Sequence, residues 1–407
     1  MRHDKRFIFF FKIRHRWGIA LGTFAKLFPK ITASVRRIGI PVNGYLPPLP
    51  RLIREASLKG GHLGAPKNNG RAYPSLQELI DEQKSPTLEF RGNIRPIRIS
   101  RLRADSTLPI GPENRQAISP IWPGDPYEFE NEYQYLEHYA SFAFALSPRK
   151  GGWDTMRSVE MSSVGTFPLI PGIERTSDSV LYGYPKALLA KLWEMAKNER
   201  LPSPSAAQHV WLRSWAETHL TSTAQANFLL NQLGYFDSKP RQVLYLDFNF
   251  ALTPDYVSMA NLVGLHRVLK QNLRTFAWPE YLCSDSKESS KNLYGRGFGY
   301  RGELAGEVQI PALTALHYPS DAKGLVEYAR MSVSENDISH IVLGGLEYGD
   351  ESPSQRLSIV RAIEEMNVPL ALVYGGDFTL SSKTMSELSQ SSLLFVREFE
   401  KAHRITR

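Results

Sequence analysis

The sequence predicts an α/β protein built from two Rossmann-like domains, and three features carry that prediction. Apolar runs over Phe142–Leu146, Gln242–Phe248, Ile338–Gly345 and Val368–Asp377 have the length and composition of strands buried on both faces of a parallel sheet. Between them lie segments with leucine, alanine and aromatic residues at helical spacing, so that strand and helix alternate. A chain of 407 residues, 42% of them hydrophobic, can also fill two ordinary cores.

In chain order, residues 1–86 read as a basic extension and connecting region. Residues 1–116 hold 22 Lys and Arg against 8 Asp and Glu, a balance of +14, while the rest of the chain stands at −6. Such a stretch suits contact with nucleic acid, an anionic membrane surface or an acidic polymer, and equally a solvated arm. The apolar run Phe7–Phe11 is too short to span a bilayer, and the start of the chain lacks the long apolar region of a secretory signal. Cytoplasmic residence is expected. The single cysteine, Cys283, excludes an intramolecular disulfide and a cysteine-rich metal site. Residues 40–84 are rich in Pro, Gly and Asn, with one short helix expected to start near Ser75.

Residues 87–235 read as the first domain. Thr87–Gly92 is expected to be a strand entering a glycine turn, followed by the basic segment Arg95–Arg98. Arg91 and Arg98 are candidates to reach a phosphate, with a solvated arginine run as the plainer account. A helix over Tyr133–Ala140 carries His138, expected to be a packed or surface residue. After the strand at Phe142–Leu146 comes a loop suited to holding an anion. Lys150 offers charge, Gly151 and Gly152 let the backbone approach a ligand, and Asp154 is placed to cap the following helix, whose first N–H groups then face outward. Arg157 and Glu160 share a face of that helix, where a guanidinium can hold a diphosphate and a carboxylate can accept sugar hydroxyls. Gly165 ends the helix and Phe167–Ile170 begins another strand. Helices are expected over Tyr184–Arg200 and Ala206–Leu233, the second ending at Gly234.

The run Lys150-Gly-Gly-Trp-Asp-Thr-Met-Arg157, with Glu160 and Gly165-Thr-Phe-Pro-Leu-Ile170, resembles the donor-binding segment of GT-B glycosyltransferases, particularly exostosin-like ones. The resemblance implies a nucleoside-diphosphate sugar as donor, with Arg157 at the diphosphate and Glu160 at ribose or sugar hydroxyls. It also implies that a helix dipole and basic side chains hold the diphosphate, with no metal and no further cofactor. It covers roughly residues 87–235.

Residues 241–400 read as the second domain. A strand over Gln242–Phe248, a helix over Ser258–Gln271, a strand over Ile338–Gly345, a helix capped by Ser352 and running to Met366, and a strand over Val368–Asp377 follow in turn. Leu244-Tyr-Leu-Asp247, Thr253-Pro-Asp-Tyr256, Leu293-Tyr-Gly-Arg-Gly-Phe298, Tyr374-Gly-Gly-Asp377 and Val396-Arg-Glu398 look like landmarks of the acceptor-side domain of the same enzymes, which normally comes first. The order suggests a circular permutation of two domains facing across a cleft, or else a fusion with a degenerate copy. Inversion at the sugar carbon needs a base. Asp255, ahead of Asp377, is the candidate, and both sit with Glu347 at or near strand ends where α/β sheets place ligand sites. Arg296, between Gly295 and Gly297, is expected to take unusual dihedrals and either contact an anion or form a surface turn. The expected function is transfer of a sugar to an unidentified hydroxyl acceptor, a glycan or a nucleic acid. The competing reading is an inactive relative that binds nucleic acid or another polymer through its basic start.

Overall fold

The structure is a computed structural model that describes residues 73–84, 90, 92–102, 107–121, 128–237, 241–249, 253–276, 278–283, 293–304, 321–348, 352–377 and 379–399. The basic stretch before Tyr73, Arg91 and most of the expected strand at 87–92 lie outside them. The first helix, α1 (Leu76–Asp81), starts where the sequence places it. The Ser75 hydroxyl accepts from the Glu78 N–H while the Glu78 carboxylate accepts from the Ser75 N–H, which satisfies two donors at the helix start. Leu76, Leu79 and Ile80 then join the main core, so this end of the extension is packed.

The strands are β1 (Ile94–Pro96), β2 (Gln116–Ile118), β3 (Phe142–Leu146), β4 (Phe167–Leu169), β5 (Gln242–Asp247), β6 (Leu273–Thr275), β7 (Ile338–Gly344), β8 (Leu370–Tyr374) and β9 (Leu393–Val396). They form two parallel sheets, one in the order β2-β3-β4 and the other in the order β1-β9-β8-β7-β5-β6. In the smaller sheet, α2 (Glu132–Ala140) connects β2 to β3, and α3 (Met156–Ser163) connects β3 to β4. Every residue of β3 is buried, as a continuous apolar run in the middle of a sheet requires. Pro168 lies on the edge strand β4, where its missing N–H leaves no ladder bond unmade. Gly165, at φ +78°, turns the chain out of α3 as expected.

The larger sheet is doubly wound. From β5 the chain goes to β6 on one side, then crosses to β7, β8 and β9 on the other, which opens a crevice at the carboxyl ends of β5 and β7. One expectation needs correction here. Residues 94–96, assigned by the sequence to the first domain, are the outer strand of the larger sheet, with Ile94 opposite Leu394 and Pro96 opposite Val396. β9 thereby avoids being an exposed edge, and the proline again falls on the outermost strand.

The helices after β4 are α4 (Lys186–Lys197), α5 (Ala206–His219), α6 (Ser222–Gln232), α7 (Tyr256–Leu269), α8 (Ala322–Glu335), α9 (Pro353–Glu364) and α10 (Ser382–Leu388). The segment 206–233 is two helices with a break at Leu220 and Thr221. Thr221 caps α6 through the N–H of Ala224, and Arg101 bridges the break by donating its N–H to the Leu220 carbonyl and accepting from the Ser222 N–H. Periodicity runs smoothly through the break, so only the cap and Arg101 reveal it. α9 carries the expected capping box at Ser352. The short elements β2, β6 and α10 and the helix α8 had no strong sequence signal.

α6 crosses α7 closely. A Cβ on Gly264 would stand 2.1 Å from the Ser222 carbonyl oxygen, so glycine sets the helix spacing. Beside it, the Ser100 hydroxyl donates to Gln225 Oε1 at 2.8 Å, and Gln225 Nε2 donates to Asn261 Oδ1 at 2.8 Å. Through this contact one apolar core runs continuously under both sheets. Among the described residues, no helix is long and apolar enough to cross a membrane.

Candidate functional site

The loop after β3 meets the carboxyl ends of β8 and β9. Ser147 anchors its start, donating its N–H to the Leu169 carbonyl and pairing its hydroxyl with Ser158 at 2.7 Å. Lys150 is exposed at the tip. A Cβ on Gly151 would fall 2.1 Å from Asp377 Oδ2, and one on Gly152 would fall 2.4 Å from Glu398 Oε1. The glycine pair therefore does permit close approach, here to the larger sheet's own carboxylates. Glu398 Oε1 accepts from the N–H of Trp153 at 2.7 Å and of Asp154 at 3.1 Å. Arg397 pairs with Asp377 and lies 4.0 Å from Glu398.

Asp154 does not cap α3, contrary to the sequence reading. The capping position is Thr155, whose side chain makes no capping hydrogen bond. The Asp154 carboxylate turns inward, accepting from the Ile99 N–H and, at 3.4 Å, from the Tyr184 hydroxyl. The chain just past β1 supplies that N–H, a partner only the tertiary fold brings near. Burial pushes Asp154 up to about 6, although Arg397 and Arg98 beside it act in the other direction. Glu398 is pushed up to about 7, again by burial. Arg98 is only 3% exposed, so it is no solvated arginine. Its guanidinium lies 5.9 Å from the Tyr182 ring centre, and its Nε has no hydrogen-bond partner among the described residues.

Arg157 and Glu160 lean from α3 toward α2. Glu160 is buried and accepts from the Tyr135 hydroxyl at 2.8 Å, and burial raises it to about 7. Arg157 is half-buried against Tyr139 and Glu160. The turn around Gly299, between β6 and α8, packs over Met156 and Glu160. A Cβ on Gly299 would stand 2.9 Å from Met156 Cε and 3.6 Å from Glu160 Oε1. In the same turn Arg296 has φ +60°, as its glycine neighbours suggested, and its guanidinium donates to the Phe129 carbonyl. It ties the turn to the segment leading into α2.

A second acidic group occupies the crevice of the doubly wound sheet. Asp247, at the end of β5, accepts from the Tyr245 hydroxyl at 2.6 Å and the Asn249 N–H at 2.8 Å. Glu347 accepts from the Gly375 N–H at 3.0 Å, and burial, with Asp255 and Asp247 nearby, raises it to about 8. Asp255 is the cap of α7. Its Oδ1 accepts from the N–H groups of Val257 and Ser258, and its Oδ2 accepts from the Tyr348 hydroxyl at 3.0 Å. A cavity of about 30 Å³ beside Asp247, walled by Phe276 and Tyr281, has room for about one water molecule.

The structure thus brings Gly151, Gly152, Asp154 and Asp377 together, sets Arg157, Glu160 and Arg296 on the adjoining face, and places Asp255 and Glu347 in the crevice. Asp377 is the exposed carboxylate among them, and Asp255 is committed to a helix start. His138 pairs with the Ser119 hydroxyl at 3.1 Å and is held near 4 by burial, a packed residue as expected. Arg98, Arg397, Glu398 and Asp247 emerge as further polar groups of the seam and crevice. Arg98 was a phosphate candidate in the sequence, and the other three fall within the Leu244–Asp247 and Val396–Glu398 landmarks without having been assigned a role there. No group of three or more His, Cys, Asp or Glu among the described residues is arranged to hold a metal ion. Compared with known proteins, the chain matches no family model, no curated protein and no solved structure.

Proposed function

We propose that the protein transfers a sugar from a nucleoside-diphosphate sugar to a hydroxyl acceptor without a metal ion, through a permuted GT-B type pair of units. The observation that carries this reading is the position of the loop Lys150–Asp154. It opens at the carboxyl end of β3 and lies against the carboxyl ends of β8 and β9, the edge at which parallel α/β sheets bind ligands. The uncapped start of α3 and the guanidinium groups nearby suit a diphosphate. Arg157 would turn from Tyr139 to the phosphates, and Glu160, partly protonated near neutrality, would exchange hydrogen bonds with a sugar or ribose hydroxyl.

Permutation accounts for the sheet order. β1 lies near the start of the described chain yet completes the sheet beside β9, the last strand, as the next parallel strand of an unpermuted chain would. For catalysis, Asp377 is placed better than Asp255, because it is exposed and touches the loop while Asp255 holds a helix start.

Calorimetry with a panel of nucleoside-diphosphate sugars tests the reading and names the donor. Arg157→Ala should weaken donor binding by about 1.5–3 kcal/mol. With the donor known, Asp377→Asn should slow transfer roughly 10²–10⁴-fold and leave donor binding intact, and Asp255→Asn should do less. Failure of every sugar nucleotide to bind would end this proposal.

A further inference from the structure

Glu398 occupies an unusual place for a structural carboxylate. It lies just past β9, is 3% exposed, and sends Oε1 across to two successive backbone N–H groups of the loop after β3. Two neighbouring N–H groups directed at one oxygen, ahead of an uncapped helix of eight residues, are the donors that phosphate-binding loops use. Gly152 is what lets the oxygen in, since any Cβ there would meet it. Around this point stand two buried guanidinium groups. Arg397 is shared between Asp377 and Glu398, and Arg98 faces Asp154 electrostatically with its Nε unpartnered among the described residues.

The charges explain why a carboxylate sits there. Two guanidinium groups at this depth need carboxyl groups beside them, and Asp154 and Glu398 provide two within the buried part of the cluster. An incoming phosphate could replace the charge of Glu398 and take the same two N–H groups, leaving Arg98 and Arg397 neutralised.

We propose that Glu398 is a built-in competitor for a phosphate site: its carboxylate holds the Trp153 and Asp154 N–H groups that one phosphate of a diphosphate ligand needs, and it must swing away before that ligand binds. This deepens the reading of the loop as a donor site and rests on it for the identity of the diphosphate, while the competition itself concerns phosphate alone. Affinity for the ligand is then set partly by how firmly Glu398 is held, and any contact that draws Glu398 off would raise it.

The test uses inorganic pyrophosphate and a panel of nucleoside diphosphates and their sugar derivatives, titrated calorimetrically into the full chain and into its Glu398→Gln variant. Glutamine keeps the size and one accepting oxygen, so the fold should persist, which a melting curve checks. Because a hydrogen bond donated to a charged acceptor is about twice as strong as one to a neutral acceptor, the variant should bind pyrophosphate roughly tenfold more tightly. Adding Arg98→Gln to that variant should remove most of the gain. Unchanged or weaker pyrophosphate binding by a folded Glu398→Gln protein would overturn the competition and leave Glu398 as a strut between units. Gained pyrophosphate affinity with no sugar nucleotide bound by either form would keep the competition and end the glycosyltransferase reading. Sugar nucleotides binding equally well to both forms would do the reverse, and no binding of any phosphate would end both.

Discussion

Where α6 crosses α7, the parts of the chain that build the two sheets touch through backbone and neutral amides, with Gly264 against the Ser222 carbonyl and Gln225 bridging Ser100 to Asn261. Where the loop 150–155 meets the ends of β8 and β9, they touch through ionisable groups: Asp154, Asp377, Arg397 and Glu398, with Arg98 behind. The first contact buries apolar surface at fixed distance and offers no alternative partner, so it behaves as part of the core. The second is held by hydrogen bonds and charges that another anion can replace. A joint that must stay closed and a seam that must exchange partners are thus made from different chemistry. The neutral contact fixes the geometry in which the charged one operates.

The largest expected effect breaks the neutral joint. Gly264→Val would drive a side chain into the Ser222 carbonyl, and urea unfolding should show a loss of about 3 kcal/mol. A stability close to wild type would mean that α6 and α7 slide apart easily and that the joint is not rigid. Gln225→Leu comes next. It leaves the Asn261 amide and the Ser100 hydroxyl without their buried partner, at about 2 kcal/mol by the same measurement.

The charged seam should instead reveal itself through pH. Burial raises Glu398 to about 7, Asp154 to about 6, and, elsewhere, Glu160 to about 7 and Glu347 to about 8. A carboxyl raised in the folded state binds its proton more tightly there than in the unfolded chain. Its stabilising contribution is full below the unfolded value and is lost as pH rises through the folded one. His138 and His209, held near 4, oppose this only below about 6.5, and Lys186, lowered to about 8 by burial, only above its own value. Between about pH 6.5 and about pH 8 the melting temperature should therefore fall, with Glu398→Gln flattening the slope near pH 7 and Glu347 carrying most of the fall above it. A melting temperature that rises over that interval would contradict the assignment of these carboxyls. Gly264→Ala, by contrast, should lower stability equally at both ends of the interval, because no ionisable group belongs to that contact.

The smallest effect lies outside both contacts. Ser75→Ala removes the cap of α1 and should cost about 1 kcal/mol at any pH, which sets the scale for a purely local change.

Local chemistry was written into the sequence. The capping boxes at Ser75 and Ser352, the glycine exit at Gly165 and the buried strands β3, β5 and β7 follow from residues adjacent to them, because caps, turns and apolar periodicity act over a few positions. The loop 147–155 and the unusual backbone at Arg296 were legible for the same reason. Tertiary structure decided the rest. The pairing of Ile94 with Leu394 joins distant parts of the chain in a parallel ladder, and no neighbouring residue specifies that partner. Asp154 looked like a cap until the Ile99 N–H and the Tyr184 hydroxyl drew its carboxylate inward, and Asp255, the sequence's candidate base, proved to be the start of helix α7. Sequence gives charge but not depth, so it left Arg98 between a phosphate contact and a solvated arginine and placed Glu398 only within the Val396–Glu398 landmark. Burial, which only the packing of distant elements creates, turned the first into an enclosed guanidinium and the second into a carboxyl held by the backbone of the loop after β3.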